Sequence, residues 1–263
     1  MGSLKEWLAE IWRYRELVFF MVWRDIKVKY KQTLLGVAWA VIQPLFTMLV
    51  FTLFFGKLGR IPSDGIPYPI FSYSALVAWT FFSSALSYSG NSLVGNSSLL
   101  TKVYFPRATL PTSAVLSGVP DFFLASVLLV GLMAYYHIAP SWTVLLWPVL
   151  LIPLILLALG AGLFLSALNV KFRDIKYALP FLIQLLMFLS PVIYPTSMVP
   201  ERYRVLAALN PLSGILEAFR SSLLPSRTVD WKLLGISGAV TLVIFFLGLL
   251  FFRKAERDFA DVI

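Results

Sequence analysis

Apolar residues along this chain gather into six long runs parted by short polar stretches, and the segment before the first run shows a helical period with a polar side. From Ser3 onward, Leu4, Trp7, Leu8, Ile11 and Trp12 recur at i, i+3, i+4, i+7 and i+8, with Lys5, Glu6, Glu10 and Arg13 between them. That spacing predicts an amphipathic helix. Ser3 and Glu6 stand at capping-box spacing, and two tryptophans on the apolar face suit a helix lying in the headgroup layer. Beyond Gly36 no charge occurs until Lys57, enough residues for a helix to cross a bilayer's hydrocarbon. Comparable runs predict spans at about 36–56, 70–90, 110–136, 144–168, 177–194 and 233–252. The pattern therefore predicts one all-α polytopic membrane domain over 1–263, with six transmembrane helices behind an amphipathic interface helix.

Details within the runs refine this. Pro44, in Gln43-Pro44, should release a carbonyl and bend the first span. The second span carries Tyr73, Trp79, Phe81, Phe82, Tyr88 and several serines, more hydroxyls than lipid contact needs, so one face is expected to border a polar cavity. The third is interrupted by Pro111 and Pro120 and carries Asp121, read here as a hydrated carboxylate near a helix end, since a relay would need partners that the neighbouring spans do not offer. Ala158, Gly162 and Ser166 form a small-xxx-small ladder in the fourth. Between the last two spans, Asn210-Pro211 reads as an N-cap followed by Pro, and Leu212, Ile215, Leu216, Phe219 and Leu223 mark one face of a short helix. An apolar helix too short to cross implies a re-entrant hairpin on the outer side, over 195–232.

Composition supports the membrane reading, since 59% hydrophobic and 13% charged residues, with mean hydropathy +0.82, exclude a soluble globule. The net charge of +9 does not point to nucleic acid, because the cations sit at segment ends and form no stripe. Arg24, Lys27, Lys29 and Lys31 make a basic collar before the first span, and such collars face the cytoplasm. With both termini placed inside, 15 of the 22 Lys and Arg fall on inner segments. The first residues lack the flanks and cleavage site of a signal peptide, and Glu6 stands where N-myristoylation needs Ser or Thr. No cysteine, zinc-ligand spacing or G-x-x-x-x-G-K-[ST] occurs, so the chain is expected to bind no metal and no nucleotide of its own. Gly235-Ile-Ser237-Gly238 is similar to the G-x-S-G of rhomboid intramembrane proteases, but His137, the sole histidine, precedes the serine and sits on a loop. The two glycines are read instead as easing helix packing.

Several phrases together resemble the membrane subunits of ABC-2 type ATP-binding-cassette exporters, in the branch that moves O-antigens, capsular polymers and teichoic acids. They are Arg24-Asp25 through Lys29-Tyr30-Lys31 with Gly36, Trp39 and Pro44; Phe105-Pro106-Arg107; Arg173-Asp174-Ile175; Ser190-Pro191-Val192-Ile193-Tyr194; Asn210-Pro211 with Glu217 and Arg220; and the Glu256-to-Asp261 tail. The resemblance implies a homodimer in the bacterial cytoplasmic (inner) membrane, seated on two copies of a separate ATPase that holds the ATP and Mg. It implies ATPase contacts through Trp7 and Trp12, through Lys102, Tyr104 and Arg107, and through Lys171, Arg173 and Asp174, cations that positive-inside anchoring explains equally. Sugar rings stack on aromatic walls, so Trp39, Phe46, Tyr73, Trp79 and Phe82 are candidates for a channel lining, with lipid contact or packing as the other reading. Lys27 and Lys31 offer charge to the head group of a lipid-linked polysaccharide. Two other functions remain open: export of small hydrophobic compounds by the same architecture, and intramembrane serine hydrolysis.

Overall fold

A computed structural model describes residues 4–31, 36–224, 228–257 and 259, and among these every regular element is helical. Two helices precede the first span: α1 (Leu4–Arg13) and α2 (Arg15–Lys31). Ser3 of the expected capping box lies outside the described residues, as do the side chains of Leu4, Leu8 and Ile11. Gly36 adopts φ +47°, a left-handed geometry open to glycine, where the chain turns into the first span. That span, Gly36–Leu58, contains α3 (Trp39–Phe51) and ends in a π-helical segment, Thr52–Leu58. α3 runs through Pro44 without interruption.

The second span is a single helix, α4 (Tyr68–Gly95), followed by the short α5 (Ser97–Lys102). The third, Thr109–Tyr135, is broken at Ser117-Gly118 into α6 (Thr109–Leu116) and α7 (Val119–Tyr135), where Pro120 restarts the helix in its first turn. The fourth, Trp142–Lys171, is mostly α8 (Trp147–Lys171), and α12 (Trp231–Ala255) is another of the five helices long and apolar enough to cross a membrane. Among the described residues the sixth apolar helix, α9 (Ile175–Leu189), has only 15 residues. At 1.5 Å per residue it reaches about 22 Å, short of a bilayer's apolar core. Five of the described helices are therefore long enough to cross, and α9 is shorter than the span of 177–194 expected from hydropathy.

The reason lies just past α9. Pro191 ends the helix, and the chain passes through turns over Ser190–Tyr194, leaving carbonyls that must be satisfied. Side chains from elsewhere supply the donors: Asn210 Nδ2 donates to Leu189 O at 3.1 Å, Arg220 Nη2 to Pro191 O at 2.8 Å, and the Tyr68 hydroxyl to Ile193 O at 2.8 Å. Asn210 also caps α11 (Pro211–Leu223), its Oδ1 accepting from Leu212 N at 3.1 Å, after the short α10 (Glu201–Leu209). Ile215, Leu216 and Phe219 bury one face of α11 against α4, α8 and α12.

α4 is the axis of the subunit, with 78% of its most apolar stretch buried against 17–39% for the other four long spans. One face of it borders cavities, as expected, through Thr80, Ser84, Tyr88 and Ser92. Ser72, Ser74, Ser83 and Ser92 donate back to Tyr68, Phe71, Thr80 and Ser89 of their own helix, so these four hydroxyls are satisfied locally. Small residues seat the neighbours of α8. Gly162 faces Ser89 of α4, whereas Gly160, on another side of α8, meets the backbone of α12 at Phe245.

Candidate functional site

The proposed channel aromatics separate into two groups. Trp39 and Phe46 on α3 are 52% and 62% exposed, free to meet another surface. Tyr73, Trp79 and Phe82 on α4 are only 0%, 5% and 2% exposed, and they are corrected here from lining to core. Their rings pack within their own subunit, and the Tyr73 hydroxyl donates to Ala125 O at 3.1 Å. A ring without accessible surface cannot stack on a sugar.

The basic collar divides in a similar way. Lys27 and Lys31 are exposed, with Lys27 Nζ 5.1 Å from the Trp23 ring centre. Lys29, not selected from sequence, turns inward: its ammonium pairs with Asp121 Oδ2, and the Tyr30 hydroxyl donates to Asp121 Oδ1. This is possible because α2 climbs beside α6, with Ser113 Oγ donating to Asp25 Oδ2 at 3.3 Å on the way. Asp121 does stand near a helix end, in the first turn of α7, but it is paired and not simply hydrated. It stands 12 residues beyond Thr109, about 18 Å of helix. Its place in the first turn of α7 also favours a negative charge. Burial, and then the carboxylate of Asp121, push the Tyr30 phenol above its ordinary range, so it remains a donor. A carboxylate inside an apolar span demands a counter-charge, and that rule could have directed the search toward the collar.

At the same end of the bundle three distant segments meet on one glutamate. Glu256, just past α12, accepts from Trp7 Nε1 on α1 at 3.0 Å and from the backbone N–H of Arg107 at 3.0 Å. The Arg107 guanidinium in turn donates to Glu256 O at 2.7 Å and lies over the Phe259 ring. The three segments wall a groove of about 520 Å³, with Glu6 and Glu10 on one side and Arg253 and Arg257 on the other. Trp7 and Arg107 thus help to build the junction, while Tyr104 projects from it at 84% exposure. Trp12 lies five residues past Trp7, about 140° around the helix, and is exposed. Lys102, Lys171, Arg173 and Asp174 are exposed as well. Asn169 Nδ2, donating to Gly90 O at 3.0 Å, ties the end of α8 to the same end of the bundle.

Ser237 does not present a nucleophile. It is fully buried, and its Oγ accepts from Gly214 N at 3.1 Å. His137 is exposed in the turn after α7. Gly235 and Gly238 meet no neighbour within the subunit, so they do not ease packing as expected. Gly214 does, since a Cβ there would lie 2.6 Å from Leu233 O. Ser237→Ala should strand the Gly214 N–H and lower stability by about 1–3 kcal/mol. Per folded molecule its activity should be unchanged, which comparing thermal unfolding with transport would check.

The family description for ABC-2 type transporters matches residues 16–224. The O-antigen export system permease protein RfbA of Myxococcus xanthus is 31% identical over 259 residues, covering 97% of this chain and 98% of that protein. A Klebsiella pneumoniae protein of the same description is 27% identical over 252 residues, covering 94% and 95%. The polysialic acid transport protein KpsM of Escherichia coli is 26% identical over 244 residues, covering 89% and 91%.

Proposed function

This chain belongs to the ABC-2 type transporter family, and from that premise we propose that it is the membrane permease of an ATP-driven exporter of lipid-linked polysaccharide. The observation that carries the reading is the match to the Myxococcus xanthus O-antigen permease at 31% identity along almost the full length of both chains. ABC-2 permeases of such exporters work with an ATPase subunit. This sequence contains no phosphate-binding loop of its own, so nucleotide hydrolysis is assigned to that partner. The glutamate-centred junction of Trp7, Arg107 and Glu256 is the proposed receiving surface, since one carboxylate there ties together the interface helix, the loop after α5 and the tail. A push on any of them is felt by α12, which enters the core through Phe252.

That end of the bundle is assigned to the cytoplasm by its collar. The Trp7 to Glu256 bond brings the two ends of the chain together, which supports placing both termini on that side. The conduit is assigned to the space between two copies, because no aromatic of the central helix α4 among the original candidates is accessible. The exposed Trp39 and Phe46 of α3 remain as its proposed walls, with Phe181 and Phe188 of the short α9 as further exposed aromatics.

The test uses a bacterium whose own permease for a lipid-linked O-antigen or capsule has been deleted. Surface polysaccharide should return when this chain and its ATPase are expressed together, and not with either alone. ATP hydrolysis by the purified pair should rise with lipid-linked glycan. A rise only with small hydrophobic compounds would replace this reading with a drug-type exporter, and ATP hydrolysis by the chain purified alone would overturn the division of labour.

A further inference from the structure

Asp121 holds two donors around one carboxylate, the Lys29 ammonium on Oδ2 and the Tyr30 phenol on Oδ1. Two cavities of mixed polar and apolar lining meet at this cluster. One, of about 230 Å³, lies among α2, α3, α4 and α7 and is bounded by Trp39, Gln43 and Ser84. The other, of about 340 Å³, lies among α2, α4 and α6 and is bounded by Arg24, Asn96 and Ser117. Lys29 and Tyr88 line both.

This arrangement is unlike a pair that serves only to fasten helices. Taking two charges out of water is costly, and a fastening pair offsets the cost best when sealed by good packing. Here the cation has open space on both sides, with polar groups such as Gln43, Ser84, Asn96 and Ser117 in its walls. The Tyr88 ring, 5.5 Å from Nζ, steadies the ammonium without neutralising it. What the donors surround is an oxyanion, and the carboxylate is the one the chain itself provides.

We propose that this cluster is a phosphoryl-binding site in which a phosphate oxyanion of the lipid-linked substrate takes the place of the Asp121 carboxylate between Lys29 and Tyr30. The proposal rests on the exporter reading and deepens it by naming the group recognised and its place. Phosphoryl oxygens accept from ammonium and phenol as carboxylate oxygens do. The exposed cations Arg24, Lys27 and Lys31 raise the local concentration of anions along the approach. When the phosphoryl group leaves, Asp121 closes on Lys29 again, so the cation is never left unpaired among apolar helices. A transported group needs such a site, firm enough to enter and easy to vacate.

The experiment titrates a polyprenyl pyrophosphate in lipid nanodiscs, and inorganic pyrophosphate in solution, against the purified permease–ATPase complex. Because Asp121 competes for Lys29, Asp121→Asn should tighten binding of the lipid about five-fold or more, whereas Lys29→Gln should weaken it at least about ten-fold, the effect of one charge-assisted hydrogen bond. A pair that is only structural gives the opposite sign for Asp121→Asn: lower stability and no tighter binding. Joining Lys29→Gln with Asp121→Asn leaves no stranded charge, so this variant should be more stable than either single one. It should lose the binding. Wild-type affinity in that double variant, failure of Asp121→Asn to tighten binding, or no binding of either probe to the wild type would overturn the site. Inorganic pyrophosphate binding as tightly as the lipid form would overturn its assignment to a head group. Polysaccharide export by the wild type is scored separately: loss of export with pyrophosphate binding intact would sink the exporter reading and leave the site standing.

Discussion

Replacing Arg220 by methionine should leave far less folded protein in the membrane and lower the unfolding midpoint of what remains by about 10 °C or more. Arg220 is 0% exposed and occupies every face of its guanidinium. Nη1 donates to Glu217 Oε2 at 2.9 Å, Nη2 to Pro191 O at 2.8 Å and Nε to Phe71 O at 3.4 Å, while its centre lies 3.8 Å over the Phe71 ring. Methionine keeps much of the volume and none of the donors. Removing one partner of a buried ion pair costs about 3–5 kcal/mol, because the other charge is stranded. The Pro191 carbonyl, just where α9 ends early, loses its donor at the same time. That sum is a large part of the few to about fifteen kcal/mol by which proteins are stable. Adding Glu217→Gln removes the stranded charge and should restore about half of the lost stability. Thermal unfolding in detergent, followed by tryptophan fluorescence, measures both variants. A midpoint within about 2 °C of the wild type for Arg220→Met would show that α11 is held by its apolar face alone.

The second large effect belongs to the crossing of α8 and α12. A Cβ on Gly248 would lie 2.0 Å from Gly160 O, and one on Gly160 would lie 2.4 Å from Phe245 Cα. Both obstacles are backbone, which cannot turn aside as a side chain does. Gly248→Val should therefore part the two helices and cost more than the about 1–3 kcal/mol usual for overpacking. Gly238→Ala is the matched control on the same helix. With nothing within 4 Å of its position, it should be neutral or stabilising by up to about 1 kcal/mol from helix propensity. If the two substitutions have equal effects on unfolding, the crossing is not a backbone contact.

Much of this architecture could be read without coordinates. Runs of apolar residues and the collar of Arg24, Lys27, Lys29 and Lys31 announce membrane helices and their order. Short phrases such as Phe105-Pro106-Arg107 and the Asn210-Pro211 cap pointed to the family. The roles of individual residues are less legible. Tyr73, Trp79 and Phe82 carry the composition expected of a wet wall, yet α4 is the one span surrounded by the others. Gly160 and Gly248 are no more conspicuous in the sequence than Gly235 and Gly238, and only the first two touch another helix.

The sequence by itself determined what the solvent decides: which segments leave water, how they are punctuated by proline, and where positive charge holds them. These follow from each residue's transfer energy and backbone freedom, which are local. Only the tertiary structure decided which faces meet. It set Asp121 against Lys29 across 92 residues and Glu256 against Trp7 across 249. It also gave the carbonyl left beyond α9, which Pro191 ends after 15 residues, a donor in Arg220. The physical reason is that lipid is as apolar as a leucine side chain, so hydropathy cannot say which side of a membrane helix turns inward. Close approach of backbones and the pairing of buried polar groups settle that, and both depend on residues far apart in the chain.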